Sequence, residues 1–173
     1  MPLCLLLFFA VRPAEAVQPP RTAPPGVPVG ITRLVQRAGY IFSGTVTDVR
    51  ASAAGAQVPT IQITFRVEEA IRGVAAGQVL VIREWAGLWT AAPRYRRGER
   101  LLLFLYRPSR LGLTSPVSGT LGRFAVDPSG QVTLEPQHLA VLSSDPVVAP
   151  RVHGKNQISM ADFSLAIHRA AGE

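Results

Sequence analysis

The order of apolar and polar positions predicts a chain built mainly from short β-strands. The clearest alternation lies in residues 60–68, where Ile63 and Phe65 share one side and Thr64 and Arg66 share the other. A repeat of two residues is that of a strand with one side in water. Other segments are rich in β-branched, aromatic and aliphatic residues, which also favour strands. The strands predicted in this way are residues 40–50, 60–68, 78–84 and 101–106.

Helical spacing is found near each end of this strand-rich region. In residues 31–38, Ile31 and Leu34 fall on one face of a short helix, and Gly39 follows as a natural stop. A second helix is predicted to begin after Ser159.

The packing stripe of this C-terminal helix is Met160, Phe163 and Ile167, and Asp162 completes a pattern similar to a capping box with Ser159. Before this helix, the turn residues 127–130 separate two short apolar segments and predict a hairpin. Residues 111–121 and 143–156 are predicted to be irregular.

These elements predict an all-β fold with one helix at each end. Five or six strands in a short chain can remove their open edges by closing into a small barrel, and an OB-like barrel is the arrangement favoured here. An open sandwich is the alternative. The predicted organisation is a signal peptide over residues 1–16, a proline-rich linker over 17–30, and one barrel domain with its C-terminal helix over 31–173.

The signal peptide is predicted from the apolar run at residues 3–11 and from the small residues Ala14 and Ala16, which suit a cleavage site. The mature chain is therefore expected to be secreted or periplasmic and to have no transmembrane segment. Cys4 is the sole cysteine. Cleavage after Ala16 would leave no thiol for disulfides, nucleophilic catalysis or metal binding.

The chain has a formal net charge of +7 and a pI near 11.0, and most of its positive residues are arginines. A basic surface attracts polyanions and acidic partners over long range, but an arginine-rich coding bias with a solvated surface is the favoured explanation of the composition.

Several strand sequences resemble a known module. They are LVQRAGY leading into IFSGTVTDV, then ITFRVEEAIRG, QVLVIRE and RGERLLLFL, with residues 43–46 and 98–100 the most distinctive pieces. In this order they resemble the netrin-like OB-fold module of tissue inhibitors of metalloproteinases and of many secreted bacterial proteins. The resemblance implies a closed barrel. The inhibitors chelate the protease zinc through an N-terminal cysteine, which this chain lacks, so inhibition does not carry over residue by residue.

No arrangement of residues predicts catalysis, a metal site or a cofactor. His138, His153 and His168 lack the spacing of metal ligands. Ser144 and Asp145 are residue types used by hydrolases, but no G-x-S-x-G nucleophile elbow is present. We therefore expect a protein that is not an enzyme.

Residues 85–100 combine aromatic and arginine side chains, which are enriched at binding surfaces, and we call them the aromatic–arginine segment. The favoured interpretation is nevertheless structural: the two tryptophans would cover one end of the barrel and the arginines would form a solvated turn. The candidate binding residues are Trp85, Trp89, Arg94, Tyr95, Arg96 and Arg97.

The favoured hypothesis is an exported binding module whose partner is another protein or an envelope polymer. A nucleic-acid-binding OB domain is the second hypothesis, supported by the charge and by the aromatic–arginine segment but disfavoured by export. An accessory protein or inhibitor of a secreted metalloprotease is the third, and it rests on the resemblance.

Overall fold

The computed structural model describes residues 30–52, 58–89, 94–143, 145–146, 148–152 and 155–172. The predicted signal peptide, residues 1–16, and the predicted linker up to residue 29 lie outside the described residues. The helices and strands of the described part are α1 (Ile31–Arg37), β1 (Tyr40–Ala51), β2 (Thr60–Arg72), β3 (Val79–Trp85), β4 (Arg100–Leu105), β5 (Arg123–Val126), β6 (Gln131–Thr133), α2 (Pro136–Leu142), α3 (Ala149–Val152), β7 (Gln157–Ser159) and α4 (Met160–Ala171), with 3₁₀-helices at Ala86–Trp89 and Gly119–Gly122.

The strands form one antiparallel sheet in the order β3-β2-β1-β4-β5-β6-β7. The mainly β fold predicted from the sequence is confirmed, but the prediction of a closed barrel with five or six strands is wrong. After β4 the chain adds β5, β6 and β7 on the far side of β4, so β3 and β7 remain as two separate edges. Among the described residues, one backbone hydrogen bond reaches the β3 edge, from Thr114 N–H to the Arg83 carbonyl at 2.8 Å.

Strand β1 pairs irregularly with β2. The register between β1 and β2 shifts at three places, between Ile41 and Phe42, between Ser43 and Gly44, and between Val46 and Asp48. Such bulges increase the local twist of a strand. At the second bulge a Cβ on Gly44 would lie 2.6 Å from the carbonyl oxygen of Arg66, so the close approach of the two strands requires glycine there.

The two sides of the sheet pack against different residues, and we call them the inner and the outer side. The inner side of β1 to β4 carries one apolar cluster, in which Phe65 packs edge-to-face against Phe42 with ring centroids 5.4 Å apart. Burial of such a cluster supplies most of the favourable free energy of folding. The buried members of this inner cluster are Phe42, Val46, Ile63, Phe65, Val67, Ile82, Tyr95, Leu101, Leu103 and Leu105.

The outer side is covered over one part only. There α1 and α4 pack against side chains of β1, β4 and β5, including Ile41, Phe104 and Phe124. The N-terminus of α1 is held by Asp145, whose carboxylate accepts a hydrogen bond from Ile31 N–H at 2.9 Å. We call this the covered part of the outer side; the remainder, formed by β2, β3 and the adjoining end of β1, is the bare part.

The sequence predicted both terminal helices and six of the strands near their observed positions. Ser159 caps α4 as predicted, with its Oγ accepting from Asp162 N–H at 3.1 Å. Helix α2 and strand β7 were not predicted, and α3 lies in a segment predicted to be irregular. None of the helices in the described part of the chain has the length and hydrophobicity of a membrane-spanning segment.

Candidate binding surface

The predicted aromatic–arginine segment is divided between the core and the surface. Tyr95 belongs to the inner cluster and is 2% exposed, and Arg94 also turns inward. Arg96 and Arg97 are exposed. The side chain of Trp89 lies outside the described residues, as do residues 90–93.

Tyr95 closes the inner cluster through a buried polar contact. Its hydroxyl donates a hydrogen bond to Glu84 Oε1 at 2.7 Å, and the Glu84 side chain is fully buried on the inner side of β3. Arg94 Nη1 lies 3.7 Å from Glu84 Oε2. A buried carboxylate requires such partners, because its desolvation is otherwise very costly. The residue that plugs this end of the fold is therefore Tyr95, where the structural interpretation had placed the two tryptophans.

The surroundings of Tyr95 also keep its hydroxyl protonated. The ring packs edge-to-face on Phe65 at 5.8 Å, and the Arg123 guanidinium lies 5.4 Å from the ring centre. Burial, followed by the charge of Glu84 and the hydrogen bond to it, raises the pKa of Tyr95 well above its ordinary value. Tyr95 therefore remains a hydrogen-bond donor to Glu84 at neutral pH.

The turn that carries Arg96 and Arg97 is attached firmly to β1. Val46 N–H donates to the Glu99 carbonyl at 2.9 Å, and Gly98 N–H donates to the Val46 carbonyl at 2.8 Å. The Arg97 Nε donates to the Thr47 carbonyl at 2.6 Å. Two distinctive pieces of the sequence, residues 43–46 and 98–100, are thus neighbours in the fold, and their contact fixes the turn.

The exposed apolar side chains of β3 form a second feature, of which the sequence indicated only Trp85. Val79, Val81 and Trp85 are 66%, 50% and 51% exposed, and with Arg83 they occupy the outer side of this strand. Single exposed apolar residues are ordinary, but a row on one strand is a feature of contact surfaces. We call Val79, Val81, Arg83 and Trp85 the β3 outer row.

Trp85 is held in place at the end of this row. Its indole ring lies against the backbone of Gly87, where a Cβ would collide with the ring. A tryptophan held in this way contacts a partner with little loss of conformational freedom.

Arginines surround the β3 outer row. Arg66 of β2 lies directly opposite Val79 of β3, and Arg50 of β1 lies opposite Gln62 of β2. Asp48 and Glu68 also lie on the bare part, and each forms ion pairs with two arginines. Because the arginines outnumber these two carboxylates, the surface remains basic. The pairs are Arg50–Asp48 at 2.5 Å, Arg97–Asp48 at 3.5 Å, Arg66–Glu68 at 3.9 Å and Arg100–Glu68 at 2.6 Å.

His138, considered above as a metal ligand, has a structural role. Its Nδ1 accepts a hydrogen bond from Glu135 N–H at 3.1 Å, which caps α2, and its Nε2 lies 3.1 Å from the Thr120 carbonyl. The ring stacks on Phe124 at 4.2 Å, and burial lowers the pKa of His138. These contacts favour the neutral imidazole with its proton on Nε2.

Two of the other residues considered for chemistry, Ser144 and His153, lie outside the described residues. Asp145 caps α1, as described above. In the part of the chain that the structure describes, no three side chains among His, Cys, Asp and Glu are grouped as metal ligands would be.

Comparison of the chain with protein-family models, with curated proteins and with solved structures found no match. The resemblance to netrin-like modules therefore stays a prediction.

Proposed function

We propose that this chain is an exported binding module without catalytic activity, and that it contacts another protein or an envelope polymer through the β3 outer row. The observation that carries the proposal is the exposure of Val79, Val81 and Trp85 on one strand at the edge of the sheet. Exposed apolar side chains rimmed by polar residues mark interaction sites, and Trp and Arg are the residue types most enriched where binding energy is concentrated.

The absence of catalysis in this proposal is supported by the roles of the buried titratable groups. Glu84 binds the Tyr95 hydroxyl, Asp145 caps α1, and His138 caps α2. Each of these groups holds two parts of the fold together, so each has a structural reason to be present.

Export is supported by the sequence of residues 1–16. If it is correct, the mature protein begins at Val17 and is found outside the cytoplasm. Mass spectrometry of the N-terminal peptide from fractionated cells tests this directly, and a cytoplasmic protein that retains residues 1–16 would contradict it.

The binding surface is tested by crosslinking in cells that produce the full chain. A photo-reactive amino acid at position 81 is expected to give adducts of defined mass. The matched control is position 165, because Leu165 is an exposed apolar residue on α4. Adducts from position 165 and none from position 81 would show that the contact surface lies elsewhere.

A nucleic-acid-binding function is the second candidate, and the basic bare part of the outer side supports it. Phosphate contacts made by Arg50, Arg66 and Arg83 would cause affinity to fall steeply with salt. We expect a triple substitution of these arginines by glutamine to reduce the salt slope only if nucleic acid is bound. Arg94 is unsuited to this test because it pairs with Glu84.

A further inference from the structure

We infer that the open part of the β3 edge binds an extended, acidic segment of a partner protein, which adds to the sheet as a further strand. This inference rests on the proposed function, since it assigns a partner class to the same surface. Three observations support it: the outward direction of backbone groups of β3, the part of the edge that no other segment occupies, and the positive charge of the nearby arginines.

The backbone direction follows from the register of β2 and β3. Val67 N–H donates to the Gln78 carbonyl, and Ala86 N–H donates to the Pro59 carbonyl, at 2.9 Å each. Because hydrogen-bonded positions recur every second residue in an antiparallel pair, the even-numbered residues of β3 bond to β2. Val79, Val81 and Arg83 therefore direct their N–H and C=O groups away from the sheet.

One of these outward groups is already used within the chain. The Arg83 carbonyl accepts from Thr114 N–H, which places the loop after β4 beside the C-terminal half of β3. Among the described residues, no hydrogen bond reaches the outward groups of Val79 and Val81. The available edge therefore extends from Val79 to Val81, which suits a segment of about five residues.

Most proteins protect such an edge with charge, proline or a bulge. The available part of this one carries two exposed valines instead, whereas the opposite edge, β7, has only three residues, Gln157–Ser159. Strand addition at an exposed edge is a common way for a sheet to bind a peptide, because main-chain hydrogen bonds give affinity and alternate side chains give specificity.

The side chains around the edge specify the chemistry of the segment. In an added strand, alternate side chains would lie on the outer side beside Val79 and Val81, and Arg83 lies two residues beyond Val81 on the same side of β3. Apolar residues fit next to the two valines, and a carboxylate at the end of the segment nearest Arg83 fits that guanidinium, with Arg66 one strand further in. The favoured segment therefore carries two apolar residues on its outer side and a carboxylate at the end nearest Arg83.

Charge and backbone pairing also favour an acidic protein segment over a second copy of the chain and over nucleic acid. A second copy of the chain would bring another arginine-rich outer side beside this one, on a protein of net charge +7. Nucleic acid would satisfy the arginines, but it has no amide backbone to pair with Val79 and Val81. An acidic protein segment satisfies both features.

The test uses the mature full-length chain and a labelled short peptide that carries valine, valine and glutamate at alternate positions with threonine between them, with binding followed by fluorescence anisotropy. Two control peptides accompany it, one with lysine in place of glutamate and one N-methylated at alternate amides. We expect the acidic peptide to bind, the lysine peptide not to bind, and N-methylation on the pairing side to weaken binding at least about tenfold, as expected for loss of one or two hydrogen bonds.

Variants of the protein sharpen this test. Val81→Pro removes an outward N–H while leaving the bonds of β3 to β2 in place, and proline is tolerated on edge strands. Val81→Thr retains the N–H and the branched shape, so it is the matched control. We expect the affinity for the acidic peptide to be about tenfold lower in the proline variant than in the threonine variant, because only the proline variant lacks the outward N–H.

Each result decides the matter. Absence of binding by the acidic peptide, or binding that N-methylation leaves unchanged, overturns strand addition; because this comparison modifies only the peptide, it holds even if Val81→Pro fails to fold. If the peptide does not bind while position 81 still crosslinks to a partner in cells, the proposed function stands and this inference fails. If neither is observed, both fail.

Discussion

The two sides of β3 carry similar apolar residues in different surroundings. On the inner side, Leu80 and Ile82 pack into the cluster that Tyr95 closes, and Glu84 is buried beside them. On the outer side, Val79 and Val81 face solvent. A strand with apolar residues on both sides is normally covered on both. The difference indicates that the inner side stabilises the fold and that the outer side is available for contact.

The largest expected effect comes from the inner side. Phe65→Ala removes a fully buried ring that contacts Phe42 and Tyr95 edge-to-face. We expect the free energy of unfolding to fall by about 3–5 kcal/mol, through lost burial and the cavity left behind. Urea melts monitored by circular dichroism measure it. A loss below about 1 kcal/mol would mean that Phe65 does not lie on the inner side.

Loss of the polar contact at the end of the inner cluster is expected to lower the free energy of unfolding by a smaller amount. Tyr95→Phe removes the hydroxyl that donates to Glu84, at nearly constant ring volume. We expect a loss of about 1–3 kcal/mol, because a buried carboxylate loses a hydrogen bond. Tyr40→Phe is the matched control, since among the described residues the Tyr40 hydroxyl has no hydrogen-bond partner. Equal effects of the two changes would argue against the role given to Glu84.

The packing of His138 on the covered part of the outer side is tested by the pH dependence of the free energy of unfolding. His138 is buried against Phe124, and burial lowers its pKa from the ordinary value of 6.5. The unfolded chain therefore takes up a proton at higher pH than the folded chain does. The stability contributed by neutral His138 is complete above about pH 6.5 and declines as pH falls below it.

The measurement compares the free energy of unfolding of the unmodified chain and of His138→Gln between pH 7 and pH 5. We expect the difference between the two to shrink as the pH is lowered through and below pH 6.5. A difference that is constant with pH would show that His138 titrates alike in the folded and unfolded chains.

The smallest effect on stability is expected on the bare part. Val81→Thr changes an exposed side chain on the outer side of β3. We expect a change within about 0.5 kcal/mol in the same urea melts, because little apolar area is lost from contact. A loss comparable to that of Phe65→Ala would mean that Val81 is covered and that the contrast between the two sides is mistaken.

Local sequence patterns predicted much of this fold, although its closure was predicted wrongly. The alternation around Phe65 placed β2, and Ser159 marked the start of α4, because both depend on neighbours a few residues away. The barrel prediction failed since it depends on which strands become neighbours. Helix α2 was missed because its cap uses Glu135 and the side chain of His138, an unusual pair for this position.

The candidate site shows the same division. Trp85 was identified from its residue type and lies on the surface, whereas Tyr95 was identified by the same reasoning and lies in the core. Val79 and Val81 were not identified at all. In residues 78–84, apolar residues occupy both sides of the strand, so the pattern gives no indication of which side is covered.

By itself, the sequence determined that the chain forms mostly strands between two terminal helices, because secondary structure follows from the periodicity of residues close together along the chain. Only the tertiary structure decided that the sheet stays open, that Tyr95 and Glu84 turn inward, and that Val79 and Val81 remain uncovered. These features depend on contacts between residues far apart in sequence, and on the bulges in the pairing of β1 with β2.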